Sequence, residues 1–234
     1  MNEQSEATVQ GVGLAFLAGY VDALGFVALA GLFTAHVTGN FILIGASLAN
    51  ADHPSVLLKL LAFPAFICGV ALARVLTVAA ERRQAAALRP ALLIELILLL
   101  GFMGAGMAAE PLSSTAGPLA VTAGLLGAGA MGVHSGASRM LLGHLAPTSM
   151  MTGNVTQIVI DVVDLLRGAH DPGQGARFAK FVWPLLAFAA GCIAAAFGFR
   201  AFGFAALALP SLILLGLTMS VRPAAVRQTQ VKPL

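Results

Sequence analysis

The chain of 234 residues is 59% hydrophobic and 10% charged, with a mean hydropathy of +0.91. A soluble domain is nearer half apolar and a quarter charged, so these values place most of the chain in lipid and leave little for any soluble domain. The net charge of +3 reads as basic loops at a membrane surface, and no aromatic-basic interleaving points to nucleic acid.

In chain order, the opening residues MNEQSEATVQ contain no Lys or Arg, unlike the basic start of a cleaved signal peptide, so the first apolar segment is expected to stay. That segment runs from Gly11 to Phe33 and carries Asp22 about half-way along. The second, Val37 to Ala49, opens on Thr38-Gly39-Asn40 within HVTGNFILIG. Leu57 to Ala80 and Pro90 to Ala109 follow; the run from Ala91 to Ala109 is close to the 20 or so helical residues that cross the hydrocarbon region. The apolar runs are continuous, not alternating, and lipid tolerates only helices and closed barrels, so the fold class is all-α and polytopic.

The second half repeats this order as Pro118 to Leu142, Thr148 to Leu166, Phe178 to Phe199 and Phe204 to Ser220. A shift of 114 sets Thr38-Gly39-Asn40 on Thr152-Gly153-Asn154 and Thr34 on Thr148, and a shift of 120 sets Pro64 on Pro184 and Pro90 on Pro210. The chain divides into two repeats, residues 1–110 and 111–234, forming one integral membrane domain. Basic residues collect on the cytoplasmic side of short loops. The clusters are Arg82, Arg83 and Arg89; Arg167, Arg177 and Lys180; and Arg222, Arg227 and Lys232, with only Lys59 and Arg200 in other loops. All three clusters share a side if the first two segments of each half together make one crossing. Six net crossings with cytoplasmic termini result, in two inverted three-crossing repeats, and inverted repeats with interrupted helices are a signature of secondary transporters.

Threonine caps helix starts, glycine relaxes the backbone and asparagine tolerates the left-handed region, so each TGN reads as a break followed by a new helix. A half-helix starting inside the membrane exposes unpaired N–H groups and the positive end of its dipole, which attract anions. Thr38, Gly39, Asn40, Thr152, Gly153 and Asn154 are therefore candidate substrate contacts, although small polar groups of this kind also simply cap breaks or bond neighbouring helices.

An ionisable group deep in lipid marks a function by default. Asp22 is such a group, and Arg139 occupies the corresponding segment of the second half. The two can pair, or Arg139 can meet substrate charge while Asp22 or His36 handles a proton; His134 and His144 flank Arg139 and are further options. Glu95 is expected near the cytoplasmic surface and hydrated, whereas Asp161 is a candidate for the interior. No HExxH, CxxC or paired His-carboxylate set indicates a metal, no cofactor is implied, and Cys68 and Cys192 read as packing residues. Gly19, Gly25 and Gly31, and the crowd from Gly124 to Gly136, read as helix-packing positions.

The blocks GYVDALGFVALAGLFTAHVTGNFILIGASLA, from Gly19, and MGVHSGASRMLLGHLAPTSMMTGNVTQIVIDV, from Met131, resemble the bacterial YoaK-like family of small inner-membrane proteins of unknown function. The resemblance covers nearly the whole chain, at Asp22, Gly25, Phe26, His36, Thr38, Gly39, Asn40, Arg139, Thr152, Gly153 and Asn154. It implies a location in the bacterial cytoplasmic membrane and six or seven helices, and supplies no substrate. The leading expectation is a secondary transporter for a small polar or anionic solute, with proton coupling as an option. A channel is the alternative and a membrane scaffold the third; no nucleophile motif or catalytic triad spacing points to an enzyme. Gly-rich faces on so small a bundle favour a homodimer weakly.

Overall fold

The computed structural model describes residues 3–49, 56–111, 117–168 and 173–221. Among these the fold is all-helical: α1 (Glu3–Ala28), α2 (Gly39–Ala49), α3 (Val56–Arg82), α4 (Leu88–Ala109), α5 (Pro118–Leu141), α6 (Met151–Leu166), α7 (Gln174–Phe202) and α8 (Ala208–Ser220). A short 3-10 turn, Gly203–Leu207, joins α7 to α8. Among the described residues, five stretches are long and apolar enough to cross a membrane: Ser5–Ala28, Val56–Arg82, Leu88–Ala109, Pro118–Leu141 and Gln174–Ser220. At 11 residues α2 is only about 16 Å long and cannot cross. The fold is that of a polytopic membrane protein; Arg222, Arg227 and Lys232 lie outside the described residues.

Lipid gives helices no hydrophobic reason to associate, so close backbone packing must hold them together. Two crossings supply it. A Cβ on Gly19 would meet the Phe188 carbonyl oxygen and one on Gly191 that of Phe16, joining α1 to α7. A Cβ on Gly132 would meet the Phe66 carbonyl oxygen and one on Gly69 that of Gly129, joining α5 to α3. Gly11 approaches Pro184 while Gly198 approaches Tyr20, so α1 and α7 run in the same direction; Gly124 at Leu58 and Gly136 at Ala73 establish the same for α5 and α3. In contrast, Leu29 and Leu32 beyond the end of α1 lie against Gly124 near the start of α5, and Leu145 beyond the end of α5 lies against Gly11. Helices α1 and α5 therefore run oppositely. Leu14, Leu17, Leu24, Leu99, Phe102, Met131, Phe204 and Leu207 fill the core between these pairs.

Several boundaries differ from those read in the sequence. Helix α1 starts at Glu3, because its polar first turns are helix-permissive though not apolar, and it ends at Ala28 instead of Phe33. Ala30 (φ 51°) and Gly31 (φ 79°) turn the chain into the left-handed region, and the Gly31 N–H returns to the Phe26 carbonyl. Gly31 thus ends a helix and does not pack one. Lys59, assigned to a loop, is buried in α3 and donates its ammonium to the Ala30 carbonyl at 2.7 Å, stabilising the left-handed turn. Arg200 likewise sits in the last turn of α7. The last segment begins as the 3-10 turn, anchored by the Phe204 N–H donating to Glu110 Oε1 at 3.1 Å. Glu95, expected to be hydrated, is fully buried; its partner is described below.

Candidate functional site

After the turn at Ala30 and Gly31 the chain folds back beside α1, so that Thr34 lies against Gly25. Asp22 is what receives it. Its Oδ1 accepts the backbone N–H groups of Thr34 at 2.8 Å and Ala35 at 2.7 Å, with longer bonds from the His36 N–H at 3.4 Å and the Thr34 hydroxyl at 3.3 Å. Its Oδ2 lies 2.6 Å from His36 Nδ1. A buried carboxylate is costly unless its lone pairs are satisfied, and here one oxygen satisfies the backbone of an irregular loop while the other holds a histidine.

The asparagines of the two TGN motifs clamp the same loops. Asn40 Nδ2 donates to the Phe33 carbonyl and its Oδ1 accepts the Phe33 N–H, both at 2.9 Å. Asn154 Nδ2 donates to the Pro147 carbonyl at 2.9 Å, seven residues back as Phe33 is from Asn40. Proline has no N–H to return, which explains why Asn154 Oδ1 is buried without a partner. Losing a buried hydrogen bond while orphaning its partner costs about 1–3 kcal/mol. Asn40→Ala is therefore expected to lower the thermal midpoint further than Asn154→Ala, a comparison that circular-dichroism melts of the two purified variants would check.

The start of α2 differs from the expected open N-terminus. The N–H groups of Gly39, Asn40 and Phe41 bond the carbonyls of His36, Val37 and Thr38, so the first turn of α2 is largely satisfied from within. Helix α6 starts at Met151 with Met150 at its N-cap and no side-chain cap, which puts Thr152 inside the first turn.

Both starts meet at one cavity of about 830 Å³. Its wall includes Asp22, His36, Thr38 and Gly39 from the first half and Met150, Thr152, Phe188 and Cys192 from the second. The lining is mostly apolar with a few convergent polar groups, the usual character of a small-molecule site.

A second polar cluster lies in the core. His134 Nδ1 is 2.8 Å from Glu95 Oε1 and its Nε2 is 2.9 Å from Thr148 Oγ1, while Ser138 Oγ reaches the same hydroxyl at 3.2 Å. Glu95 and His134 are both fully buried.

The family pattern described as "Protein of unknown function (DUF1275)" matches residues 10–220. The chain belongs to the DUF1275 family. It is also 36% identical over 90 residues to the "UPF0700 transmembrane protein YoaK" of Bacillus subtilis (strain 168); the match covers 38% of this chain and spans 40% of that protein's length. No solved structure matches the chain.

In this DUF1275 chain the residues singled out by sequence separate into distinct roles. Asp22, His36, Thr38, Gly39 and Thr152 reach the cavity wall. Asn40 and Asn154 are buried behind it as loop clamps. Gly153 sits in the first turn of α6 with open space where a Cβ would go. Arg139 is exposed in the last turn of α5 and is not on the cavity wall, and Asp22 pairs with His36 in place of the Asp22–Arg139 pair offered as an option. Asp161 is buried and is held by Arg177 Nε at 3.0 Å, which ties α6 to α7, and by Gln157 Nε2 one turn back on α6 itself at 3.1 Å. No cluster of three metal-ligating side chains occurs among the described residues. The Glu95–His134 pair was missed, although Glu95 broke an apolar run in the same manner as Asp22.

Proposed function

We propose that the protein is a secondary transporter of a small polar or anionic solute, set in the bacterial inner membrane with both termini cytoplasmic. The cavity at which the starts of α2 and α6 meet carries this reading. It draws on corresponding motifs of both halves, as a site at the interface of two repeats should.

The packing supports two inverted three-crossing repeats. Helices α1 and α5 run oppositely, and each packs on the long third helix of the other half across matched glycines. Gly19 and Gly132 stand 113 apart, as do Phe16 and Gly129, whereas Gly69 and Gly191 stand 122 apart, as do Phe66 and Phe188. A crossing by α1, followed by the return of the chain to Asp22 and its exit through the short α2, makes one net crossing. Repeated through α5 and α6, this gives six.

In this reading Thr38 and Thr152 offer hydroxyls to the solute from opposite halves, and the Asp22–His36 pair on the wall accepts or releases a proton as solute enters. Arg139, at the end of α5, stands outside the binding step. The test is a thermal-stability screen of purified protein against small anions, carboxylates, purines and neutral solutes, since a ligand that binds only the native state raises its apparent stability. A Thr38→Val/Thr152→Val variant is expected to weaken any hit roughly tenfold or more, from two lost hydrogen bonds of about 1 kcal/mol each. Affinity unchanged in that variant would refute the site. Uptake of the hit into proteoliposomes then separates saturable, uphill transport from the non-saturating downhill flux of a channel.

A further inference from the structure

The two halves hold their returning loops in chemically reversed ways. In the first, the carboxylate of Asp22 on α1 receives Thr34; in the second, the imidazole of His134 on α5 receives Thr148, the residue 114 places on. Behind His134 stands Glu95 of α4, with Oε1 on Nδ1 and Oε2 buried without a donor. We infer that Glu95, His134 and Thr148 form an occluded proton-binding site whose state sets how the second loop is held, and so couples a proton to the cavity; the coupling rests on the transporter reading above.

The chain of hydrogen bonds from Glu95 through His134 to Thr148 and Ser138 has two self-consistent proton arrangements. With Glu95 ionised and His134 neutral, Nδ1–H donates to Glu95 Oε1, Nε2 accepts the Thr148 O–H, and Thr148 Oγ1 accepts from Ser138. One proton taken from water to Nε2 reverses this chain: Nε2–H donates to Thr148 Oγ1, and the Thr148 O–H turns to Ser138 Oγ. No covalent bond other than N–H forms. Glu95 Oε2 lacks a donor in both states; the first state leaves a net negative charge in the core, while the second is neutral overall, which is favoured wherever burial penalises net charge.

Among the described residues no other charge is positioned to substitute for that proton; the buried Lys59 of α3 is engaged with the Ala30 carbonyl. Arg89 on α4, Arg139 on α5, Arg74 on α3 and His144 in the loop are exposed, and α8, packed on α4, carries no ionisable side chain. Asp22 on α1 is committed to His36 and its own loop. The effect of the proton is local to Thr148, two residues before Met150 and four before Thr152, both on the cavity wall.

The experiment is nitrogen NMR of intact purified protein labelled with 15N-histidine, titrated between about pH 5 and pH 9, where histidine and nearby groups change charge. The five histidines are told apart by Thr148→Val, which removes the hydroxyl at Nε2, keeps the Glu95 contact and should displace the His134 signals. The expected result is conversion of His134 from imidazolium to the neutral Nδ1–H form in wild type, and a neutral ring throughout the range in Glu95→Gln. A His134 signal that keeps one state across the range in wild type overturns the proton site, because the readout requires no transport. If His134 titrates, solute affinity from the stability screen is expected to change with pH in wild type and to lose that dependence in Glu95→Gln; equal dependence in both overturns the coupling. A titrating His134 in a protein whose cavity binds no solute would instead defeat the transporter reading and leave the proton site intact.

Discussion

Asp22→Ala is expected to destabilise the protein by about 3 kcal/mol or more and to abolish solute binding, whereas Asp22→Asn should keep most of the stability and still lose function. Alanine strips the acceptor from the Thr34 and Ala35 N–H groups, which sit at 2.8 and 2.7 Å in a place where water is scarce, and each orphaned donor costs about 1–3 kcal/mol. The loop from Ala30 to Thr38 would then have little to hold it against α1, and the cavity wall formed by His36 and Thr38 would go with it. Asparagine keeps an oxygen where Oδ1 accepts the two N–H groups, and its amide can donate to His36 Nδ1. It removes the negative charge that makes the pair a proton acceptor. Thermal melts and the solute screen, run on both variants, separate the two roles: equal destabilisation would mean that the charge itself holds the loop, and intact binding in Asp22→Asn would remove Asp22 from the proton step.

The all-helical membrane fold was legible because hydropathy and run length determine what can cross lipid, and long apolar runs leave few alternatives. Side-chain partners were less legible, because they depend on a chain reversal that hydropathy does not register. Asp22 announced itself as a charge in an apolar segment, but its partner His36 becomes a neighbour only after Ala30 and Gly31 turn the loop back. Arg139 drew notice by its place in the matching segment; it stands in the last turn of α5, where a long side chain can carry its charge to the surface. Glu95 lies five residues beyond Pro90, close enough to a basic loop to look hydrated, yet α5 covers it with His134. The TGN motif read as a ligand-facing triplet, but backbone groups in an irregular buried loop must be satisfied first. The asparagines serve that need, which leaves Thr38 and Thr152 to face the cavity.

The same hierarchy, backbone packing before side-chain chemistry, predicts the other large effect. Gly19→Ala and Gly132→Ala should each cost at least the 1–3 kcal/mol typical of overpacking, and the double variant should fail to give a monodisperse protein. At both positions the added carbon would collide with a backbone carbonyl, of Phe188 and Phe66 respectively, so a rotamer change cannot relieve it and two helices must separate. Gly45 and Gly153 provide the control, being helical glycines with open space where a Cβ would go. Alanine there should be neutral or stabilising by roughly 0.5–1 kcal/mol, because it lowers the entropy cost of forming the helix. Size exclusion with thermal melts on all four single variants decides the matter. If alanine at Gly19 and Gly132 is tolerated as well as at Gly45 and Gly153, the α1–α7 and α5–α3 crossings are not the contacts that hold the bundle. If only one of the two crossings is sensitive, the crossings contribute unequally to stability, and under the proposed transporter reading the less sensitive one becomes the interface better suited to slide.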